Sequence, residues 1–361
     1  MAKQAAGSVL ATYGDTVVLA AVVTGSAREG IDFFPLTVDY REKTYAAGKF
    51  PGGFFKREAR PTQKEILTMR MIDRPIRPLF PPDFKNEVLI QVMVLAVDQE
   101  SDPDILAMVA ASAALSISQL PFEGPTAACR VGYIDDKLVL NPSLSQMEYS
   151  TMEMVVAGHK DGINMIEVGA MELPDDVVIE GIEFARKAVV DCVELIDELK
   201  TKAGKPVEWV APEPNNALIQ GLKSNYTDRL NKARRIPGKL DRKGTIKEIY
   251  NDAKAEFCTA DDGKPEHEWN TVRDMLDKIE EVIVAEMLVN EGTRSDNRGP
   301  LDIRRIDCDV AVLPRVHGSA IFQRGETQTL CVITLGTGRD EQIVDGLAEE
   351  YSKKFMLHYN F

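Results

Sequence analysis

The chain has 361 residues, 44% hydrophobic and 28% charged, with a formal net charge of −14. That length supports two or three domains with substantial cores, while no apolar run approaches the ~20 residues of a membrane span and the acidic total disfavours non-specific wrapping of duplex DNA. Five cysteines without a C-x-x-C pair and four scattered histidines speak against a disulfide framework and a Cys/His metal cluster, and predict reduced thiols in a cytoplasmic protein.

The chain opens without the charged and apolar blocks of a signal peptide, directly into a strand pattern. Residues 7–25 read as two apolar strands around a tight turn at Tyr13-Gly14-Asp15. Residues 32–40 predict another strand, with Pro35 pointing to an edge or bulge. Residues 87–98 are nearly all apolar, the pattern of a buried strand. Residues 104–119 predict a helix of small residues suited to close packing on a sheet. Two hairpins follow, one turning at Asp135-Asp136 and one near His159. Val178, Ile182, Ala185, Val189, Cys192, Ile196 and Leu199 then form a single helical stripe within residues 176–202. Runs of strands covered by helices predict an α+β domain rather than a parallel βαβ series.

Three prolines in residues 204–214 mark a linker. From 215 to 290 the strand signals vanish and Val272, Leu276, Ile279, Ile283 and Met287 mark a helical stripe, so a small all-helical domain is expected. It holds a minor basic cluster (Lys232, Arg234, Arg235, Lys239, Arg242, Lys243, Lys247), for which a solvated helix face is the better reading.

From residue 301 the strand pattern returns as a repeat. Gly7, Ser8, Gly14, Thr16 and Leu19 recur as Gly318, Ser319, Gly325, Thr327 and Leu330, all at one offset. The chain is therefore expected to start a second copy of its first domain and to stop inside it, a piece of a duplicated protein. The expected boundaries are 1–205, 215–290 and 298–361.

The stretch 41–80 carries ten lysines and arginines against four acids, a net +6 on an acidic chain. A polyanionic ligand is the first candidate for such an island. Phe54 and Phe55 offer ring faces to bases after a mobile Gly52-Gly53, and Lys56 and Arg57 follow as phosphate contacts. Thr62 and Glu65 predict a capping box and a helix from about Gln63, which Pro75 is expected to end. Arg70 and Arg74 then share a face, and Arg77 falls in an extended segment. The competing reading is that Asp73 pairs with Arg70 and Arg77 and the arginines only tie down a surface.

FFPLTVDYREKTYAAGKFPGGFFKREARP, MIDRPIRPLFP and LPRVHGSAIFQRGETQTLCVITLGT resemble the signatures of the polynucleotide phosphorylase (polyribonucleotide nucleotidyltransferase) family. The resemblance spans the chain. It implies an RNase PH-like domain (ribosomal protein S5 domain 2-like), an all-helical domain and the start of a second RNase PH-like domain. It implies phosphate-dependent 3′-to-5′ degradation of single-stranded RNA with release of nucleoside diphosphates, as in mRNA turnover. It further implies a homotrimeric ring, Mg²⁺, inorganic phosphate as co-substrate and contact with the RNA-degradation machinery. Phe54, Phe55, Lys56 and Arg57 match the loop that grips RNA, with Lys56 where arginine is usual, and Arg60, Arg70, Arg74 and Arg77 match basic positions associated with RNA handling.

The family's phosphate-binding serines and metal-binding carboxylates are expected beyond Phe361, so this piece alone is expected to be inactive. At the corresponding helix start of the first copy stands Asp102-Pro103-Asp104. Its carboxylates repel phosphate and its proline removes an N–H. Asn297 stands where the family commonly has glycine, and asparagine tolerates the positive φ that such a turn needs. The alternative reading is a non-catalytic RNA-binding ring subunit of an exosome-like assembly. A nucleotide-binding metabolic enzyme is weaker still, because no G-x-x-x-x-G-K loop is present.

Overall fold

A computed structural model describes residues 1–28, 30–52, 56–259 and 266–360. Two compact units form it, Met1–Pro212 with Glu341–Phe361, and Glu213–Asp340.

The first unit is built on two four-stranded sheets. Strands β1 (Gly7–Tyr13), β2 (Thr16–Gly25), β3 (Leu36–Glu42) and β4 (Glu87–Ala96) lie in the order β1-β2-β4-β3. β3 starts one residue after Pro35 and occupies a sheet edge, where a missing N–H does least harm. Helix α1 (Gln63–Ile76) crosses from β3 to the parallel β4, so one βαβ unit sits inside an otherwise antiparallel sheet. Helix α2 (Pro103–Ser116) covers this sheet. Val18, Ala20 and Val22 of β2 and Val88, Ile90, Val92 and Val94 of β4 are buried with Ala107, Ala110, Ala111 and Ala114 of α2 in one core. The alanines set how close helix and sheet come: a Cβ on Gly7 would lie 2.1 Å from the Ala114 carbonyl oxygen.

The second sheet holds β5 (Ala127–Ile134), β6 (Lys137–Leu140), β7 (Met152–His159) and β8 (Gly162–Ala170), in the order β6-β5-β7-β8, with the short α3 (Leu144–Met147) between β6 and β7. Asp135 and Asp136 both take positive φ in the β5–β6 turn. Helix α4 (Asp175–Ala203) covers this sheet with Ala185, Val189 and Val193, buried against Cys129, Val131, Met154 and Val156.

In the second unit α5 (Asn216–Arg234), α6 (Lys239–Phe257) and α7 (Trp269–Val289) share a core in which Val272, Leu276, Ile279, Ile283 and Met287 are all buried, as their spacing predicts. Asn297 does take φ +63°. Strands β9 (Ile306–Val310), β10 (Gly318–Arg324) and β11 (Thr327–Ile333) form a three-stranded sheet. A hairpin of β12 (Gln342–Val344) and β13 (Tyr351–Lys353) belongs to the first unit, with Leu347 buried in the α2 core.

The repeat is a repeat of structure. β1 pairs with β2 from Gly7↔Val22 to Tyr13↔Thr16, and β10 with β11 from Gly318↔Ile333 to Arg324↔Thr327. Both turns put glycine in the left-handed region, Gly14 at φ +58° and Gly325 at +61°, a requirement of two-residue hairpin loops.

Two local expectations fail together. Helix α1 does not stop before Pro75; it runs through Pro75 to Ile76 and into a 3₁₀ turn over Arg77–Leu79. Arg77 is accordingly helical, at φ −53° and ψ −46°, and not extended. A proline in the last turn forfeits one hydrogen bond. Burial of Ile72, Pro75 and Ile76 offsets it, and Asn164 Nδ2 donates to the Pro75 carbonyl at 3.0 Å.

The close approach at Gly7 yields a paired test. Gly7→Ala is expected to lower stability by about 1–3 kcal/mol through overpacking, read as a shift in the urea midpoint. Gly318→Ala, whose nearest neighbour would be Ile333 Cβ at 3.4 Å, is expected to change it by no more than about 0.5 kcal/mol.

Candidate nucleic-acid interface

The cations of the basic island fall into two groups. Six are held by the fold. Arg41 pairs with Asp39 at 2.9 Å. Lys43 Nζ lies 2.7 Å from Glu58, which also accepts from the Thr44 N–H, so the base of the loop is clamped. The Lys43 hydrogen bond holds the Glu58 carboxyl below its usual range. Lys49 donates to the carbonyls of Gly346 and Ala348 at 2.9 and 2.6 Å, fastening the loop to the β12–β13 hairpin. Lys64 pairs with Glu42 and Asp102, and Arg74 with Glu167. Arg77 is the most committed. It forks onto Asp73 at 2.9 and 2.6 Å, donates to the carbonyls of Phe34 and Leu36, and lies 5.9 Å from the centre of the Phe34 ring.

The other four, Lys56, Arg57, Arg60 and Arg70, are exposed. Among the described residues none of them has an ion-pair partner, so Asp73 holds Arg77 but not Arg70. Lys56 sits at φ +45°, a conformation uncommon for a side-chain-bearing residue. Phe54 and Phe55 lie outside the described residues. Two further aromatics flank the same loop and escaped the sequence reading. Phe50 is 86% exposed and Tyr45 59%; a ring before a Gly-Gly pair was the available signal.

Behind this face the start of α2 is closed to anions. Pro103 offers no N–H, the Asp104 N–H donates to Asp102 Oδ1 at 3.2 Å, and the Ile105 N–H to Asp104 Oδ1 at 2.6 Å. Lys64 Nζ lies 2.9 Å from Glu42 and 3.1 Å from Asp102, while Arg130 bridges Asp104 at 2.5 Å and Glu153 at 2.8 Å. Burial works against the Lys64 charge, but Asp102 and Glu42 outweigh it and hold the ammonium above its usual range. Burial, then the Glu42 carboxylate, pushes the Tyr40 phenol well up; its hydroxyl donates to Glu42 at 2.9 Å. Burial and then Asp102 push Asp104 up to about 7, against the pull of Arg130 and Lys64. A cavity of about 460 Å³ opens beside the network, lined by Lys64, Leu67, Arg130, Glu167, Tyr351 and Lys353 among others. With Asp102 and Asp104 bound to cations, these carboxylates do not fit a divalent metal. Among the described residues no group of three or more His, Cys, Asp or Glu side chains is placed to hold one.

The sequence profile of the 3′ exoribonuclease family, domain 1, matches residues 1–121 and 302–361, and that of its domain 2 matches 124–188. The chain belongs to the 3′ exoribonuclease (RNase PH) family. The profile of the polyribonucleotide nucleotidyltransferase RNA-binding domain matches residues 217–299. The whole chain aligns at 47% identity with the polyribonucleotide nucleotidyltransferase of Bradyrhizobium sp. (strain BTAi1 / ATCC BAA-1182), covering 50% of it, and at 48% with that of Heliobacterium modesticaldum, covering 51%. It thus spans about half the length of the curated relatives it matches. Among solved structures, a chain of the Archaeoglobus fulgidus exosome with RNA bound to the active site aligns at a TM-score of 0.43 and 18% identity, over 54% of this chain and 84% of that one. No helix among the described residues is long and apolar enough to cross a membrane.

The raised Asp104 fixes the sign of a pH effect. A carboxyl whose folded value lies above its unfolded value contributes stability that is present at low pH and is lost as pH rises toward about 7. Asp104→Asn is therefore expected to flatten the fall in stability between about pH 4 and 7, compared with the parent by urea unfolding across that window. An unchanged slope would place the titrating group elsewhere.

Proposed function

We propose that this chain supplies the RNA-gripping half of a polyribonucleotide nucleotidyltransferase, which degrades single-stranded RNA from the 3′ end with inorganic phosphate and releases nucleoside diphosphates. The observation that carries the reading is the set of exposed cations, Lys56, Arg57, Arg60 and Arg70, that have no ion-pair partner among the described residues, close in sequence to exposed Phe50 and Tyr45. Cations that meet no internal demand, next to ring faces, suit a flexible strand of phosphates and bases. Phe54 and Phe55 join them as stacking platforms in this proposal. Arg74 and Arg77 contribute differently: their ion pairs orient α1 and so hold Arg70 in place.

The closed start of α2 supports assigning phosphate and Mg²⁺ to residues other than Asp102 and Asp104. When bound, such a metal would neutralise charge on the transferring phosphoryl group. What this half does is bind and orient the strand. A homotrimeric ring, contact with RNA-degradation machinery and a cytoplasmic setting complete the proposal; five free cysteines suit a reducing compartment.

Fluorescence anisotropy with 5′-labelled oligo(A) tests the gripping role. Replacing Arg57, Arg60 and Arg70 together by Gln is expected to weaken binding and to lower the slope of log K against log salt by about 2. Arg77→Gln is expected to act on stability instead, by about 1–2 kcal/mol, because it removes internal hydrogen bonds. Equal loss of affinity in both variants would sink the division of labour. Separately, purified chain with poly(A), phosphate and Mg²⁺ is expected to release no ADP, since at the α2 start the Asp104 and Ile105 N–H groups already donate to Asp102 and Asp104; robust ADP release would refute that.

A further inference from the structure

Lys49 and Phe50 are neighbours in sequence with opposite fates. The Lys49 ammonium is held by the carbonyls of Gly346 and Ala348 at 2.9 and 2.6 Å, with Asp345 Oδ1 at 3.8 Å. Phe50 is 86% exposed. Further along, Glu58 holds the Lys43 ammonium and the Thr44 N–H. The segment that carries Phe50, Lys56 and Arg57 is therefore fastened at both ends.

The fastening at Lys49 comes from a short element that cannot stand by itself. The β12–β13 hairpin has three residue pairs, from Gln342↔Lys353 to Val344↔Tyr351. Such a hairpin is marginal alone, and its Ile343 and Tyr351 are 68% and 52% exposed, so it buries little of itself. Its tip places it. Leu347 stands between the two residues whose carbonyls hold Lys49, is 5% exposed and belongs to the core of the first sheet and α2. The matching connection of the first copy, residues 26–35, forms no strand among those described, so the duplicated fold does not require the hairpin. Residues 345–350 carry Asp345, Glu349 and Glu350 and no lysine or arginine, so the tip is unsuited to meet phosphate itself. Leu347 is enough to anchor it. The carbonyls on either side hold something else, the backbone that presents Phe50.

We infer that the β12–β13 hairpin is a positioning element for the RNA grip. Leu347 fixes its tip, the Gly346 and Ala348 carbonyls fix Lys49, and Phe50, Lys56 and Arg57 meet the strand from a segment fastened beforehand. Ordering a segment at the moment of binding weakens the complex, and fastening it in advance avoids that cost. The inference rests on the RNA reading proposed above. It gives the hairpin of the second copy a part in the grip of the first, acting through Lys49.

The test uses the full chain and 5′-labelled oligo(A) in anisotropy titrations, with stability followed in parallel by urea unfolding. Leu347→Ala changes no charge and is expected to weaken binding about fivefold. Val193→Ala, on the buried face of α4, is expected to lower stability comparably and to keep its affinity within about twofold of the parent. Equal loss of affinity in these two would overturn the inference, because lost stability alone would then explain it. Lys49→Gln is expected to weaken binding about fivefold in the parent and to add nothing in the Leu347→Ala background, since both act through one contact. The same loss in both backgrounds would make Lys49 a phosphate contact and overturn its positioning role. Trypsin under native conditions is expected to cut after Lys56 or Arg57 faster in Leu347→Ala and Lys49→Gln than in Val193→Ala; equal rates would overturn the fastening. Tighter binding by Leu347→Ala would overturn it too, by making the acidic tip a competitor of RNA. If the Arg57, Arg60 and Arg70 replacements weaken binding while neither Leu347→Ala nor Lys49→Gln does, this inference falls and the proposed function stands. A parent chain that binds no RNA overturns both.

Discussion

The ammonium group of Lys64 is the fastening on which the basic face depends. It belongs to the first turn of α1, yet its partners lie on two other elements: Glu42 at the end of β3 and Asp102 at the cap of α2. The next residue, Glu65, accepts from the Glu42 N–H at 2.9 Å and also closes the capping box with Thr62. Two consecutive side chains of one helix thus hold the side chain and the backbone of the same strand residue. Without the ammonium, two carboxylates would face each other at the edge of the core, and a charge left uncompensated there costs more than the pair contributes. The direction in which α1 presents Arg70 follows from this anchor.

That anchor also explains why the start of α2 does not behave as a helix N-terminus usually does. Such an end attracts anions through its free N–H groups. Here the chain fills that end with its own carboxyls, Asp102 and Asp104, and engages them with Lys64 and Arg130. A site able to take a mobile phosphate has been turned into a fixed internal joint. The same groups cannot do both, since a ligand anion would have to displace carboxylates already bound to two cations.

How much of this could be read from the letters follows the range of each interaction. The hairpins at residues 7–25 and 318–333 were legible as two strands around a tight turn and its repeat, because a two-residue turn with glycine at positive φ acts locally. The α7 stripe was legible for the same reason, since helical spacing is a property of one segment. The path of α1 through Pro75 was not. The local rule says stop, and it loses to burial of Ile72 and Ile76 in a core assembled from distant strands. Arg77 shows the same limit: its partners Phe34 and Leu36 are some forty residues away in sequence. A count of charges cannot tell a guanidinium bonded to carbonyls from one left in solvent. Only the second kind is available to a ligand.

Net charge and local charge then act at different distances. A chain at −14 repels a polyanion from afar. At physiological salt, screening confines that repulsion to about 8 Å, while a guanidinium in contact with a phosphate is screened far less. In the proposed reading, recognition on such a surface cannot rest on long-range attraction, so it has to come from short contacts: ring faces and forked donors. These require each group to be held in place beforehand. In the proposed reading that is the task of the engaged cations: Lys43, Lys49, Lys64, Arg74 and Arg77 are bound inside the fold, while Arg57, Arg60 and Arg70 have no ion-pair partner among the described residues.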